Sequence, residues 1–388
     1  MKGKKIFFSL CSFSLTLLFL VSVFTPTAFS AFKAQAASKG LKENISSISD
    51  FFDFFKNSKT ADENNLSENA ENNTRKYVYA AGTPIGIKLY CNGVIVVGTD
   101  DIETENGKVN PAKKAGLLKG DVIKSINGEE IKTNRAVTKF IEENGGNEMT
   151  FEIERNGAKH TLKFCSVKDI NGDFKAGLWI RDSSAGIGTL SFVTEDGRFA
   201  SLGHGVCDID TGNVLPIGEG TTTNATITGV FKGVEGSAGE LCGELSPEAT
   251  GVIFSNDSTG IYGKLYSFDS EKMKKYPVAK KSEVKKGSAQ IIATVEEGKT
   301  AYYDIEITDL SPNSTDNKNL VVKVTDASLT EKTGGIVQGM SGSPIIQNGM
   351  LVGAVTHVFI NDPKGGYGVY AETMLKTAES IEEKPQQN

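Results

Sequence analysis

From about residue 175 onward the chain is a succession of short apolar runs broken by glycine-centred turns, and this texture fixes most of what it can become. Ile187 to Val193 and Arg198 to Leu202 flank Glu195-Asp196-Gly197, and Ala289 to Glu296 and Ala301 to Thr308 flank Glu297-Gly298-Lys299. Ile305 and Ile307 alternate with Asp304 and Glu306, the period of two that gives a strand one buried face. Leu320 to Thr325 adds a further run, and only Ala371 to Glu383 reads as a helix. Such a stretch predicts a mainly β domain over residues 175–388, built as a barrel or a pair of barrels. The whole chain, at 388 residues, exceeds one ordinary core, so further domains are expected before it. Its net charge of −6 offers no attraction for nucleic acid.

The N-terminus reads as an export device. Lys2, Lys4 and Lys5 precede an uncharged stretch from Ile6 to Ser30, with small residues at Ala28-Phe29-Ser30 and Ala34-Gln35-Ala36. Residues 1–36 are therefore expected to be a signal peptide, or a retained membrane anchor, since Ile6 to Phe24 is long enough to span a bilayer. Residues 37–75, rich in Ser, Asn, Glu and Lys around Phe51-Phe52-Asp53-Phe54-Phe55, read as a flexible tether where proteolytic cutting is easy. Beyond the leader lie Cys91, Cys165, Cys207 and Cys242, expected to be free buried thiols, although export permits disulfides. No Cys/His ligand spacing and no His-Glu-x-x-His occurs, so neither a metal nor a cofactor is called for.

Residues 76–168 have a mixed texture. Extended runs at Ile85 to Tyr90, Val94 to Val97, Met149 to Arg155 and Lys159 to Phe164 surround two helices, Pro111 to Gly116 and about Asn134 to Asn144. Between them Gly120-Asp121-Val122-Ile123-Lys124-Ser125-Ile126 is a strand ending in an Asn127-Gly128 turn. The run from Pro111 to Ile123 followed by Ile126-Asn127-Gly128 resembles a PDZ domain of exported bacterial proteases. The resemblance implies that Gly82, Thr83, Pro84, Ile85, Gly86 and Ile87 form a carboxylate-binding loop, with the Ile85–Tyr90 strand pairing to a bound peptide.

The sharpest chemical signal is Gly335-Ile336-Val337-Gln338-Gly339-Met340-Ser341-Gly342-Ser343-Pro344. A serine between glycines, followed by a proline and a hairpin, is similar to the nucleophile loop of chymotrypsin-like proteases. Glycines let the backbone turn so that the Gly339 and Ser341 amides face one point and stabilise an oxyanion. A serine nucleophile needs a base, and only His160, His204 and His357 exist. His160 falls in the PDZ-like region. His204, in Gly203-His204-Gly205 at a strand end well before the serine, is the expected base, and His357 is assigned to the substrate cleft.

These motifs, with Gly353-Ala354-Val355-Thr356-His357-Val358, resemble the SpoIVB peptidase family of sporulation serine proteases. The resemblance implies a PDZ domain followed by a chymotrypsin-like double β-barrel. It also implies export to the space between the forespore membranes, self-cleavage, and cutting of a membrane-bound regulatory partner. It places Asp326 as the third triad member, with Asp208, Asp210 and Asp257 as competitors. A histidine beside a carboxylate would lose activity below a pH of about 6.5 to 7. The alternative function is a catalytically silent PDZ adaptor, in which the barrels serve as scaffold.

Overall fold

The computed structural model describes residues 75–314 and 317–382. The expected leader and the tether up to residue 74, including the Phe51–Phe55 island, lie outside the described residues. In chain order the first half contains β1 (Tyr77–Ala80), β2 (Pro84–Thr99), α1 (Pro111–Lys114), β3 (Val122–Ile126), α2 (Asn134–Glu143), β4 (Glu148–Arg155) and β5 (Ala158–Cys165). There follow β6 (Leu178–Val193), β7 (Arg198–Ser201), β8 (Ile217–Phe231), β9 (Glu240–Asp257) and β10 (Gly260–Leu265). The remainder is β11 (Gly287–Glu296), β12 (Lys299–Leu310), β13 (Leu320–Val324), α3 (Ala327–Thr333), β14 (Pro344–Gln347), β15 (Met350–Phe359), β16 (Asp362–Tyr370) and α4 (Ala371–Ser380).

Two six-stranded barrels result. In the second, β11-β12-β13-β16-β15-β14 form a closed ring. The alternation read in β12 holds: Tyr303, Ile305 and Ile307 point inward to meet Ile291, Leu320, Val322 and Val355, while Asp304 and Glu306 face solvent. In the first, β6, β7, β10, β9 and β8 pair in series, and β2 joins β8 back to β6. Ile85, Ile87, Leu89, Leu190, Phe199 and Ile253 fill its interior. A third apolar cluster, including Phe192 and Tyr262 from one barrel and Ile292, Ile346 and Val369 from the other, lies under Met374 and Leu375 of α4. The double β-barrel expected from the sequence is present.

The PDZ domain is inserted into the first barrel, not placed before it. β2 is a single 16-residue strand whose first part belongs to the barrel. Its second part pairs through Val94 and Ile95 with Ile123 and Val122 of β3. A separate core then forms from Val94, Val96, Ile123, Val137, Ile141, Phe151 and Phe164, with the last two rings 4.7 Å apart. Thr133 caps α2 by accepting from the Ala136 N–H at 3.1 Å, and Val137 and Ile141 form the buried face of the helix. The chain returns to the barrel along β6. The expected boundaries, PDZ over 76–168 and peptidase over 175–388, therefore need correction, because Pro84–Cys91 is a strand of the first barrel and Tyr77–Ala80 pairs with its strand β6. No change of composition marks the crossing: Ile85, Ile87 and Leu89 fill one core, Val94 and Val96 the other.

The same pairing corrects the expected carboxylate loop at Gly82, Thr83, Pro84, Ile85, Gly86 and Ile87. Both edges of the Ile85–Tyr90 segment are already occupied, by β6 and by β8, so no peptide can add there. A Cβ on Gly82 would lie 2.5 Å from Ile292 Cγ2, and Gly82 O accepts from Thr294 Oγ1 at 2.9 Å. This segment seals the two barrels together.

Inside the inserted domain, buried Asp121 accepts from Arg155 Nε at 2.6 Å and Nη2 at 2.7 Å, and from the Leu118 N–H at 2.8 Å. Removing Asp121 leaves the half-buried Arg155 without its partner and the Leu118 N–H without its acceptor. Asp121→Ala is expected to destabilise this domain by about 3 kcal/mol, read from urea unfolding of the intact chain. Among the described residues all four cysteines are free, but only Cys91 is buried, with its thiol pushed up to about 11 by desolvation; Cys165 and Cys207 are exposed.

Candidate active site

Ser341 stands in the turn between α3 and β14. That turn reverses sharply through Gly334, Gly339 and Gly342, which all take positive φ (80°, 93° and 99°). The buried Met340 side chain anchors its middle. His204 follows β7 through a strained corner, because buried Leu202 adopts φ 67° and Gly203 φ 70°. A left-handed φ is rare for a bulky residue and marks a backbone held by its surroundings. Here the Leu202 N–H donates to Thr189 O at 3.4 Å, and Ser201 Oγ donates to the same oxygen at 2.7 Å.

The two loops meet between the barrels. The Gly342 N–H donates to Val355 O at 2.8 Å, the Thr189 N–H donates to Ser341 O at 2.9 Å, and Gly203 packs against Thr356. His204 and His357 have ring centroids 4.6 Å apart. Ser341, His204 and His357 are thus brought into one region, with the first two half-buried and His357 exposed. Ser341 Oγ donates to Thr356 O at 2.6 Å, so the hydroxyl must rotate before it can pass its proton to His204. Breaking such a bond costs about 1 kcal/mol.

His204 Nδ1 lies 2.9 Å from Gly205 O. A carbonyl can only accept, so Nδ1 carries the proton and Nε2 keeps its lone pair. That is the tautomer a general base requires. Burial lowers the His204 pKa below its ordinary 6.5, while the Gly205 hydrogen bond partly opposes the shift. The imidazole is therefore neutral, and able to accept a proton, to a lower pH than a free histidine. Turnover is expected to persist as pH falls through 6.5 and to drop only below it, as a kcat/KM–pH profile would show. This replaces the expected limb at about 6.5 to 7, which presumed a carboxylate partner.

None of the four expected carboxylates contacts His204. Asp326 caps α3: Oδ1 accepts from the Leu329 N–H at 2.9 Å and from Ser328 Oγ at 2.7 Å, and Oδ2 accepts from the Asp304 N–H at 3.3 Å. An acidic residue just before a helix, read as a triad member, is here a cap. Asp326→Ala should cost about 1 kcal/mol and Asp326→Asn much less, measured by thermal unfolding. Asp208 accepts from the Asp210 and Thr211 amides and from Arg181, which also binds Asp210 at 2.8 Å. Asp257 accepts from the Thr259 N–H and hydroxyl. His160 lies on β5, exposed, in the PDZ domain.

The expected oxyanion donors are held open. Among the described residues, neither the Gly339 nor the Ser341 N–H donates to another group of the protein. The carbonyls opposite them are tied back: Gln338 O accepts from the Leu241 N–H at 2.9 Å, and Met340 O from the Ser343 N–H at 3.0 Å. A trans peptide points its N–H away from its C=O, so each tie turns one amide outward. The sequence reading missed Leu241, Thr356 and the Gly205 carbonyl, because backbone partners leave no residue-type signal.

Two family models match the chain, and the PDZ match takes in Ile85–Cys91, which strand pairing joins to the first barrel. Residues 172–375 match the SpoIVB peptidase S55 family, and residues 85–164 match the PDZ domain. A 73-residue stretch is 40% identical to the zinc metalloprotease RasP of Shouchella clausii, and covers 19% of this chain but only 16% of that protein. The Rv3671c protease of M. tuberculosis in its active form shares 16% identity over 52% of this chain and 76% of its own, with a TM-score of 0.31. The HtrA-type protease AlgW with a decapeptide shares 8% identity over 78% and 65%, with a TM-score of 0.33. Likeness at that level adds nothing to the strand pairing seen directly. The S55 match covers more than half of the 388 residues and both candidate loops, and the chain accordingly belongs to the SpoIVB peptidase S55 family.

Proposed function

We propose that the chain is a PDZ-containing serine endopeptidase, with Ser341 as nucleophile and His204 as general base. The observation that carries the reading is the joint arrangement of a half-buried serine, a histidine fixed in the basic tautomer, and two unpaired amides in the serine's own turn. Ser341 Oγ would attack a peptide carbonyl while His204 Nε2 takes its proton and returns it to the leaving amine. The Gly339 and Ser341 N–H groups would hold the oxyanion. Gly205 O takes the orienting part that a carboxylate plays elsewhere, and His357 lines the cleft beside the base.

Export is supported by the basic and apolar N-terminal stretch, and self-cleavage within the tether by its composition. Family membership supports a membrane-bound regulatory protein as partner and the space between forespore membranes as location. For the PDZ domain we place peptide addition at a different edge from the one the sequence suggested. Among the described residues, 178–188 of β6 pair only with β2, and Leu178 and Ile180 pack on the same core as Ala136 and Phe140 of α2. An extended peptide adding a strand would do so there.

The test is labelling with a fluorophosphonate probe. Wild type should label and Ser341→Ala should not. No Ser341-dependent labelling would leave the silent adaptor as the better reading. Sequencing the N-terminus of the mature chain tests processing: wild type should begin between residues 38 and 76, and Ser341→Ala should not shorten into that range.

A further inference from the structure

One residue touches both catalytic loops at once. Thr189, on β6 and only 3% exposed, donates its Oγ1 hydrogen to Gly339 O at 2.8 Å and its N–H to Ser341 O at 2.9 Å. Its own carbonyl receives Ser201 Oγ and the Leu202 N–H from the corner that leads to His204. Three of these four bonds use only the backbone of residue 189, and any residue but proline could make them. The fourth requires a hydroxyl.

That fourth bond falls on a peptide whose carbonyl belongs to a glycine. The Gly339–Met340 peptide sits between the two peptides that carry the oxyanion amides. Glycine at φ 93° has little steric resistance to rotation of its carbonyl. Turning that carbonyl would move the Gly339 and Ser341 N–H groups relative to each other, since planar peptides move as units. The neighbouring ties at Gln338 O and Met340 O fix the peptides on either side; the one between is held at its N–H, where Met340 donates to Val337 O at 3.1 Å, and at its carbonyl, where Thr189 Oγ1 donates to Gly339 O.

We propose that the Thr189 hydroxyl is a positioning group that holds the Gly339–Met340 peptide, and hence the oxyanion hole, in its binding shape. It does so without touching substrate. The proposal rests on Ser341 and His204 being the reacting pair. Thr189→Val keeps the β-branched shape and the backbone bonds but removes the hydroxyl, whereas Thr189→Ser restores it.

In the full-length chain, Thr189→Val should lower fluorophosphonate labelling and kcat on fluorogenic casein about a hundredfold, with KM within about twofold, the loss typical of one oxyanion contact. Thr189→Ser should recover most of both. A second measurement separates hole from base. In a Ser341→Cys background, alkylation by iodoacetamide builds no oxyanion, so its rate should be the same with Thr or Val at 189. If Thr189→Val labels within about threefold of wild type, the hydroxyl does not hold the hole. If alkylation falls in parallel with labelling, residue 189 is merely structural. If wild type itself shows no Ser341-dependent labelling, the peptidase reading fails first and takes this proposal with it.

Discussion

Replacing either Ser341 or His204 by alanine is expected to lower peptide cleavage by roughly 10⁶, and replacing both should cost no more than either alone. The two act as one unit: without the base the hydroxyl stays bonded to Thr356 O, and without the hydroxyl the base has nothing to activate. Residual turnover above the uncatalysed rate would come from the Gly339 and Ser341 amides, which neither substitution removes. His357→Ala makes the control. Its exposed ring lies 4.6 Å from that of His204, tilted by 34°, but belongs to β15 of the second barrel and not to the corner fixed by Leu202 and Gly203. That variant should keep measurable turnover with altered substrate preference. Steady-state rates on one peptide substrate decide the matter. Loss in His357→Ala with retention in His204→Ala would exchange the two histidines and leave Ser341 in place.

Much of this architecture could be read before any coordinates. Period-two alternation in β12 and the glycine turn at Glu297-Gly298-Lys299 are local facts, and both survive in the second barrel. The serine turn is equally local, since its glycines need positive φ wherever the chain places them. What failed was whatever depends on a strand's partners. Ile85, Ile87 and Leu89 look the same whether one edge of β2 is open to a peptide or both are filled, and only the pairing with β6 and β8 shows that they are filled. Asp326 failed for a related reason. Asp before Ala-Ser-Leu fits a helix cap and a triad acid equally well, and the bond from the Leu329 N–H selects the cap. The Gly205 carbonyl had no chance of being named, because every residue carries one.

Gly342→Ala is expected to be the most damaging substitution outside the reacting pair, lowering turnover about a thousandfold while the barrels stay folded. A Cβ at this position would sit 2.0 Å from Thr189 O and 2.6 Å from the Leu202 N, both backbone atoms that cannot swing aside. The φ of 99° adds strain for any residue with a side chain. The turn must therefore move off β6, stretching the Thr189–Ser341 and Gly342–Val355 bonds on either side of the nucleophile. It must also push Leu202, the residue whose corner delivers His204. One methyl group thus misplaces the serine, its amides and its base together, and errors near 1 Å in such geometry cost about a hundredfold before the oxyanion loss is counted. Gly349→Ala is the matched control: its φ is also positive, at 75°, but nothing lies within 4 Å of the added carbon. It should lose some stability and almost no turnover. Circular dichroism and fluorophosphonate labelling of the two variants separate the effects. Equal loss in both would mean that strain alone governs this site, and full labelling in Gly342→Ala would mean that the close approach of β6 to the serine turn does not.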